Sequence, residues 1–453
     1  MSFGSFKSCS PLSMSMNIRI SLAILAGIIF TPLPVIAQQL SDVLPVDESY
    51  AYEVKSEFRT GICNAKSVRL TSQTWRGKPW QHWLTILRPD NIKQNNAAIL
   101  FVSGGSSTSR QPDANSDEVK QFALVAAACE VPVAILNQVP NQPLQGDRYE
   151  DDLIAYTFDK YMNSEGNDWP LLLPMVESAV RAMDATSAIL EKQSGTPISK
   201  FSMAGASKRG WTTWLTSAVD KRVVSIAPMV IDVLNMPTQL KQQYQSYGRY
   251  SHMITPYLKY NFPERMLKGE GRRLTQLVDP FSYRNKIKIP KLMVLGTNDP
   301  YWTVDASSIY FPELVGPKNL YYLPNAGHGL GIQVLPTMAT FFKKTLNNQT
   351  LETMEWNLDK DNHFHVQWSG TSRAAHLWTA HSKTRDFREV KWESVRLQND
   401  VSTAKVKLKI PKDGFAAYYV DVEFPGIGVF NYNIATEIQV LPKGFEYEPP
   451  QQK

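Results

Sequence analysis

Between residues 97 and 347, short apolar runs alternate with longer stretches in which apolar residues recur every three or four positions. The runs cover 97–102, 131–136, 201–204, 224–230, 292–295 and 320–323, and each reads as a strand buried on both faces. Helices are predicted over 117–129 and 175–192. In the second, Val176, Val180, Met183 and Leu190 fall near the 3.6-residue period, and Ser194 and Gly195 close it. Strand and helix in alternation predict a mostly parallel sheet covered by helices. Ahead of it, 66–73 and 80–87 flank Arg76-Gly77-Lys78-Pro79 and predict an antiparallel hairpin. Beyond Leu351 a period of two takes over. Val406, Leu408 and Ile410 alternate with Lys405, Lys407 and Lys409, and Val420, Val422 and Phe424 alternate with Asp421 and Glu423. With 363–368, 374–379 and 434–441 these strands predict a β-sandwich over 351–445, separate from an α/β domain over 38–350.

The first 37 residues follow another logic. Lys7 and Arg19 precede the apolar run 22–30, and Thr31, Pro32 and Pro34 lead to a small-residue site ending at Ala37, the layout of a secretory signal peptide. The run is shorter than the roughly 20 apolar residues a spanning helix needs, so no stable membrane anchor is expected after cleavage. The product would be secreted, to a periplasm or to the medium. In that oxidising setting Cys63 and Cys129 would form one disulfide or stay as two buried thiols. At 43% hydrophobic and 20% charged residues the chain has the composition of a globular protein, not of a disordered or fibrous one. Its net charge of +6 is small beside 48 basic and 42 acidic residues, and no Lys/Arg block occurs, which argues against nucleic acid as a partner.

Candidate chemistry gathers around Ser207. The predicted strand 201–204 runs into Gly205-Ala-Ser-Lys-Arg-Gly210 and then a helical pattern, so Ser207 sits on a strand-to-helix turn. Such a turn lifts a serine hydroxyl above the sheet and points a helix N-terminus at developing negative charge. The usual pattern places glycine two residues after the serine; here Arg209 holds that position and Gly210 follows it. A nucleophilic serine on this turn needs an acid and then a histidine later in the chain. Of the seven histidines only His252 and His328 lie between Ser207 and the predicted sandwich. His328 follows the last core strand in a Gly-flanked loop and is the candidate base; His252 has no strand before it. Asp299 ends the strand before it and is the candidate acid. Asp232, one strand earlier, is the alternative acid, and Asp305 lies too far past the strand end. Backbone N–H groups for an oxyanion are expected from Lys208 and from Gly104 and Gly105, which follow the strand 97–102. The Lys208 side chain reads as a solvated helix-start residue.

The segments Gly205-Ala-Ser-Lys-Arg-Gly-Trp-Thr-Thr-Trp-Leu215, Gln138-Val-Pro-Asn-Gln-Pro-Leu144, Glu150-Asp-Asp-Leu-Ile-Ala-Tyr156, Pro228-Met-Val-Ile-Asp-Val-Leu-Asn235, Tyr322-Leu-Pro-Asn-Ala-Gly-His328 and Leu377-Trp-Thr-Ala-His-Ser-Lys-Thr-Arg-Asp-Phe-Arg388 resemble the PhoPQ-activated pathogenicity-related proteins. The resemblance covers most of the chain after residue 37. It implies an α/β-hydrolase, and the elbow is similar to the S-R-x-G elbow of glucuronoyl esterases. The family is named for its regulation, so it implies a link to virulence or envelope stress but no substrate. The reading is a serine esterase without cofactor, acting on a small-molecule, glycan or peptide ester; the competing class is a non-catalytic binding or defence protein on the same scaffold.

Residues 233–287 form an insertion where such hydrolases place a lid, rich in tyrosine at Tyr244, Tyr247, Tyr250, Tyr257 and Tyr260; packing against the core is the plainer reading. His363 and His365 share a strand face near Asp361, but a third firm metal ligand is missing, and no metal site is expected. Trp356, Trp368, Trp378 and Trp392 read as core packing before they read as a carbohydrate platform. The acidic run Glu150-Asp151-Asp152 receives no role.

Overall fold

Arg76 and Gly77 both adopt positive φ, 51° and 71°, the backbone twist that a two-residue hairpin loop requires. The computed structural model describes residues 40, 48–398 and 402–449; the expected signal peptide, 1–37, lies outside the described residues. β1 (Ala51–Thr60), β2 (Cys63–Trp75) and β3 (Lys78–Pro89) form an antiparallel meander, with Trp75 opposite Lys78 across the hairpin. The sheet then runs parallel through β4 (Ala97–Val102), β5 (Val133–Leu136), β6 (Lys200–Ala206), β7 (Val223–Met229), β8 (Lys291–Gly296) and β9 (Lys318–Leu323), in the spatial order β3-β5-β4-β6-β7-β8-β9. This is the α/β-hydrolase fold.

Alternate residues along each strand face opposite sides. Leu100, Met203 and Met293 pack on one face with α3 (Leu172–Ser194) and α4 (Lys208–Val219), while Ile99, Ala204 and Val294 pack on the other with α1 (Asp117–Cys129) and α9 (Leu335–Leu346). α2 (Glu150–Met162) adds Leu153, Ile154 and Phe158 to the first face. Between β7 and β8 the insertion supplies α5 (Met236–Tyr247), α6 (Thr255–Leu258), α7 (Phe262–Arg265) and α8 (Gly269–Val278). No helix among the described residues is long and apolar enough to cross a membrane.

The C-terminal region is strand-rich, as the period of two predicts, but it is not a separate unit. The described residues form one compact body. β16 (Asn431–Ala435) pairs antiparallel with β9 through Ala435 and Leu320, and β15 (Phe415–Pro425), β12 (Ala374–Ser382) and β13 (Glu393–Arg396) continue outward, with β17 (Gln439–Leu441) on β15. β10 (Met354–Leu358), β11 (His363–Trp368) and β14 (Thr403–Lys407) form a second, three-stranded sheet. The physical reason lies at the edge: β9 would end the parallel sheet with a row of unpaired backbone groups, and β16 covers it.

Of the two states expected for the cysteines, the structure holds the pair of thiols. Cys63 and Cys129 are free and buried, and their thiols point to different carbonyls, Ala123 O at 3.4 Å and Ala339 O at 3.3 Å. Burial pushes the Cys63 thiol up to about 11 and the Cys129 thiol up to about 12, so neither supplies a thiolate near neutral pH. Both should therefore resist alkylation in the native protein and react only after denaturation. Iodoacetamide mass shifts measured with and without guanidinium check this, and a dithiothreitol-sensitive melting temperature would contradict it.

Candidate active site

Ser207 occupies φ 58°, ψ −125°, a region in which a non-glycine residue is strained on the order of 1–3 kcal/mol. The strain is held by Ser207 N–H donating to Met229 O at 2.8 Å and Trp211 N–H donating to Ser207 O at 3.0 Å. Glycine is needed on both sides. A Cβ at Gly205 would stand 2.6 Å from Arg209 O, and one at Gly210 would stand 2.7 Å from Ile231 Cγ2 and 2.9 Å from Gly205 O. The glycine one position late in the motif is thus where β6, α4 and the end of β7 approach most closely, and position 209 is free to carry a side chain.

The hydroxyl of Ser207 lies 2.8 Å from His328 Nε2, and His328 Nδ1 lies 2.8 Å from Asp299 Oδ2. Asp299 Oδ1 accepts the Tyr301 N–H at 2.9 Å, which fixes the carboxylate, and the Tyr301 ring packs on the imidazole with centroids 4.4 Å apart. The three residues therefore form one hydrogen-bonded chain in the order serine, histidine, acid. Asp232 is not on it. It is buried and accepts the Tyr310 hydroxyl at 2.5 Å. Asp305 takes Gln242 Nε2 at 3.0 Å and an ion pair with Arg385.

The loops carrying Asp299 and His328 are braced from the C-terminal region. Asn298 Nδ2 donates to the carbonyls of Phe387, Arg388 and Val390 at 3.2, 3.2 and 2.7 Å. Asn325 Nδ2 donates to Trp392 O at 3.0 Å and its Oδ1 accepts Trp392 N–H at 2.7 Å. Asn298 N–H in turn donates to Ala326 O at 2.9 Å, tying the two loops together.

The acidic run at the start of α2, given no role from sequence, belongs to the site. Glu150 binds Arg209 through both carboxylate oxygens, at 2.6 and 2.8 Å, and accepts Gln142 Nε2 at 2.6 Å. Burial works against the Glu150 charge, but the Arg209 guanidinium outweighs it and holds the carboxyl down at about 2. Asp151 accepts three donors: Lys208 Nζ at 2.8 Å, Tyr301 OH at 2.8 Å and Tyr257 OH at 2.9 Å. Burial, then Asp151 itself, pushes both phenols up, so they remain donors. The Lys208 ammonium is therefore buried at the site, where the sequence suggested a solvated one. The signal lay in pairing two runs: Lys208-Arg209 follows Ser207 into a buried turn, and two buried cations need two acids.

Removing Arg209 should be costly. Arg209→Ala would strand a partly buried carboxylate, with an expected loss of about 2–3 kcal/mol after allowing for the solvent that reaches Glu150. Because the Glu150 carboxyl is lowered in the folded state, its contribution is present above about pH 4.5 and fades as pH falls toward 2. Urea denaturation of wild type, Arg209→Ala and Arg209→Ala/Glu150→Gln checks both points: the double variant should be the more stable of the two variants, and a midpoint unchanged in Arg209→Ala would contradict the assignment.

A narrow cavity of about 60 Å³ opens beside Ser207 and His328, with walls from Trp211, Ile231, Met236, Leu240, Ile254 and Trp302. The insertion thus supplies much of the lining. Of its tyrosines, Tyr257 reaches the cavity; Tyr247 donates to Trp302 O at 3.0 Å, and Tyr244 packs edge-on against Tyr250. Lys208 begins α4, so its N–H has no partner within the helix and faces the elbow. The Gly104–Gly105 loop lies against the Arg209 guanidinium and not in the cavity wall; Gly104 O accepts Gln138 N–H at 2.7 Å and Gly105 O accepts Gln142 Nε2 at 3.1 Å.

Residues 40–388 match the PhoPQ-activated pathogenicity-related proteins. The chain belongs to this family. It is similar to the autocrine proliferation repressor protein A of Dictyostelium discoideum, 27% identical over 450 residues, which covers 90% of this chain and 88% of that protein. Similar solved structures include acetyl xylan esterase 1 from Thermoanaerobacterium sp. (14% identity, TM-score 0.47, 68% of this chain and 90% of that one). A glucuronoyl esterase from Solibacter usitatus aligns with 13% identity and a TM-score of 0.39, over 66% of this chain and 86% of that one.

The remaining expectations fall elsewhere in the fold. His365 Nε2 and His363 Nδ1 share Asp359 Oδ2, at 3.1 and 3.4 Å, and not Asp361. Trp368 and Trp392 are buried, Trp356 stacks on Phe311 and Trp378 on Tyr419, so the four tryptophans pack and present no platform.

Proposed function

We propose that this protein is a secreted serine esterase that hydrolyses carboxylic esters of short acyl groups. The observation that carries the reading is the hydrogen-bonded chain from Ser207 Oγ through His328 to Asp299, set on a strained elbow at an apolar cavity. In this mechanism Ser207 Oγ attacks the ester carbonyl while His328 Nε2 takes its proton, and Asp299 holds the imidazole and stabilises its cation. The Lys208 N–H, free at the start of α4, receives the oxyanion. His328 then gives its proton to the leaving alcohol and activates water to release the acid. The acyl group lies in the cavity, whose small volume of about 60 Å³ and apolar walls favour short acyl groups over long chains. No metal or cofactor enters these steps.

A fluorophosphonate probe, which needs only an activated serine, tests the reading. Labelling should map to Ser207 by peptide mass spectrometry, and kcat/KM over a series of p-nitrophenyl esters should peak at the short acyl groups and fall by about tenfold or more by octanoate. A folded wild type that resists even small phosphonates would overturn the reading. It would favour the second one, a non-catalytic secreted binding protein, to which the name of the Dictyostelium discoideum relative lends support.

A further inference from the structure

We propose that His376, Asp421 and Glu423 form a binding site for one divalent transition-metal ion of the zinc or manganese kind. His376 on β12 is the register partner of Asp421 on β15, and Glu423, two residues along, shares the same face. One ligand atom from each lies within 4.8 Å of the other two, and His376 Nδ1 stands 3.6 Å from Glu423 Oε1. A first-row ion with ligands near 2.0–2.2 Å draws such a set together by small side-chain rotations. Asp421 is 8% exposed, while the His376 and Glu423 side chains keep 22% and 25%, so the buried ligand sits behind two that solvent reaches, which gives an ion its way in.

The surroundings orient these carboxylates without neutralising them. Asn433 Nδ2 donates to both oxygens of Asp421, at 3.1 and 3.3 Å, and Asn431 Nδ2 donates to Glu423 Oε2 at 2.6 Å. The neighbouring guanidiniums are engaged elsewhere: Arg373 donates to Asn431 Oδ1 at 2.7 Å, and Arg396, opposite His376 in register, donates to Arg373 O at 3.1 Å. Among the described residues, no Lys or Arg lies within ion-pair distance of either acid, and His376 is the side chain that meets Glu423. Two adjacent carboxylates, one of them buried, call for positive charge, and an imidazole with two carboxylates suits zinc or manganese better than magnesium or calcium, which prefer oxygen alone. Tyr419, two residues before Asp421 on the same strand face, carries a buried hydroxyl without a hydrogen-bond partner.

The histidines over Asp359 make an internal control, because they are a second place where zinc could bind. Untagged protein, stripped with chelator and titrated with zinc chloride and then manganese chloride by calorimetry, should bind one equivalent. His376→Gln and Glu423→Gln, each checked for folding by circular dichroism, should lower that affinity by about a hundredfold or more, whereas His363→Asn/His365→Asn should not. The two single variants include one that keeps the imidazole, so a folding failure in either leaves the other to decide. Absence of stoichiometric binding, binding unchanged in both variants, or binding lost in the His363/His365 variant overturns the site.

Discussion

Ser207→Ala is expected to lower ester turnover by about 10⁶-fold while leaving the fold in place. Alanine keeps the Cβ that the elbow already accommodates at φ 58°, so the strained turn and its bond from Ser207 N–H to Met229 O persist. What disappears is the one oxygen that His328 Nε2 meets at 2.8 Å. Because serine and histidine act as a unit, His328→Ala should cost nearly as much, and the double variant hardly more than either single one. Single-turnover rates with p-nitrophenyl acetate measure this, with residual activity attributed to the oxyanion donors. A loss below about a hundredfold, or costs that simply add in the double variant, would remove Ser207 from the nucleophile's place.

Asp299→Asn should lower kcat by about 10⁴-fold with little change in KM. An amide offers its NH2 group to His328 Nδ1, which favours the tautomer whose Nε2 carries the proton, and that nitrogen then cannot take one from Ser207. Asp232→Asn serves as the comparison and should stay within a few-fold of wild type, because Asp232 contacts Tyr310 and not the imidazole. Its effect should appear in stability. Burial, partly offset by the Tyr310 hydroxyl and reinforced by Asp299, pushes the Asp232 carboxyl up to about 7. Between about pH 4 and 7 the folded state therefore holds a proton that the unfolded chain releases, and wild-type stability falls as pH rises through that window. The amide has no such slope, so Asp232→Asn should gain on wild type at pH 8 and not at pH 4 in urea denaturation. If Asp232→Asn instead carried the large kinetic loss, the acid would have been assigned to the wrong strand.

The parallel core was legible because a strand buried on both faces must be apolar throughout, and helices that cover a sheet must repeat near 3.6. Ser207, Asp299 and His328 stood out for a related reason: each follows such a strand, where the chain emerges at the same end of the sheet. The partners of β16 were not legible. The run 434–441 predicts one strand, which the structure divides between β16 and β17, and the hydrogen bonding of β16 to β9 uses backbone groups that every residue has. Asp151 escaped notice likewise, since an acidic helix start is favourable on dipole grounds alone, and only the fold brings Tyr257, Tyr301 and Lys208 to it.

The brace from Asn298 and Asn325 to the segment around Phe387–Trp392 makes the C-terminal region a jig for the acid and the base. It touches none of the three side chains, yet it holds the two loops whose spacing sets the distance from Asp299 to His328. Cutting the chain after α9 would leave Ser207 in place on its turn and let Asp299 and His328 drift, so the alignment of the three side chains is a property of both ends of the sheet and not of one half with a passenger.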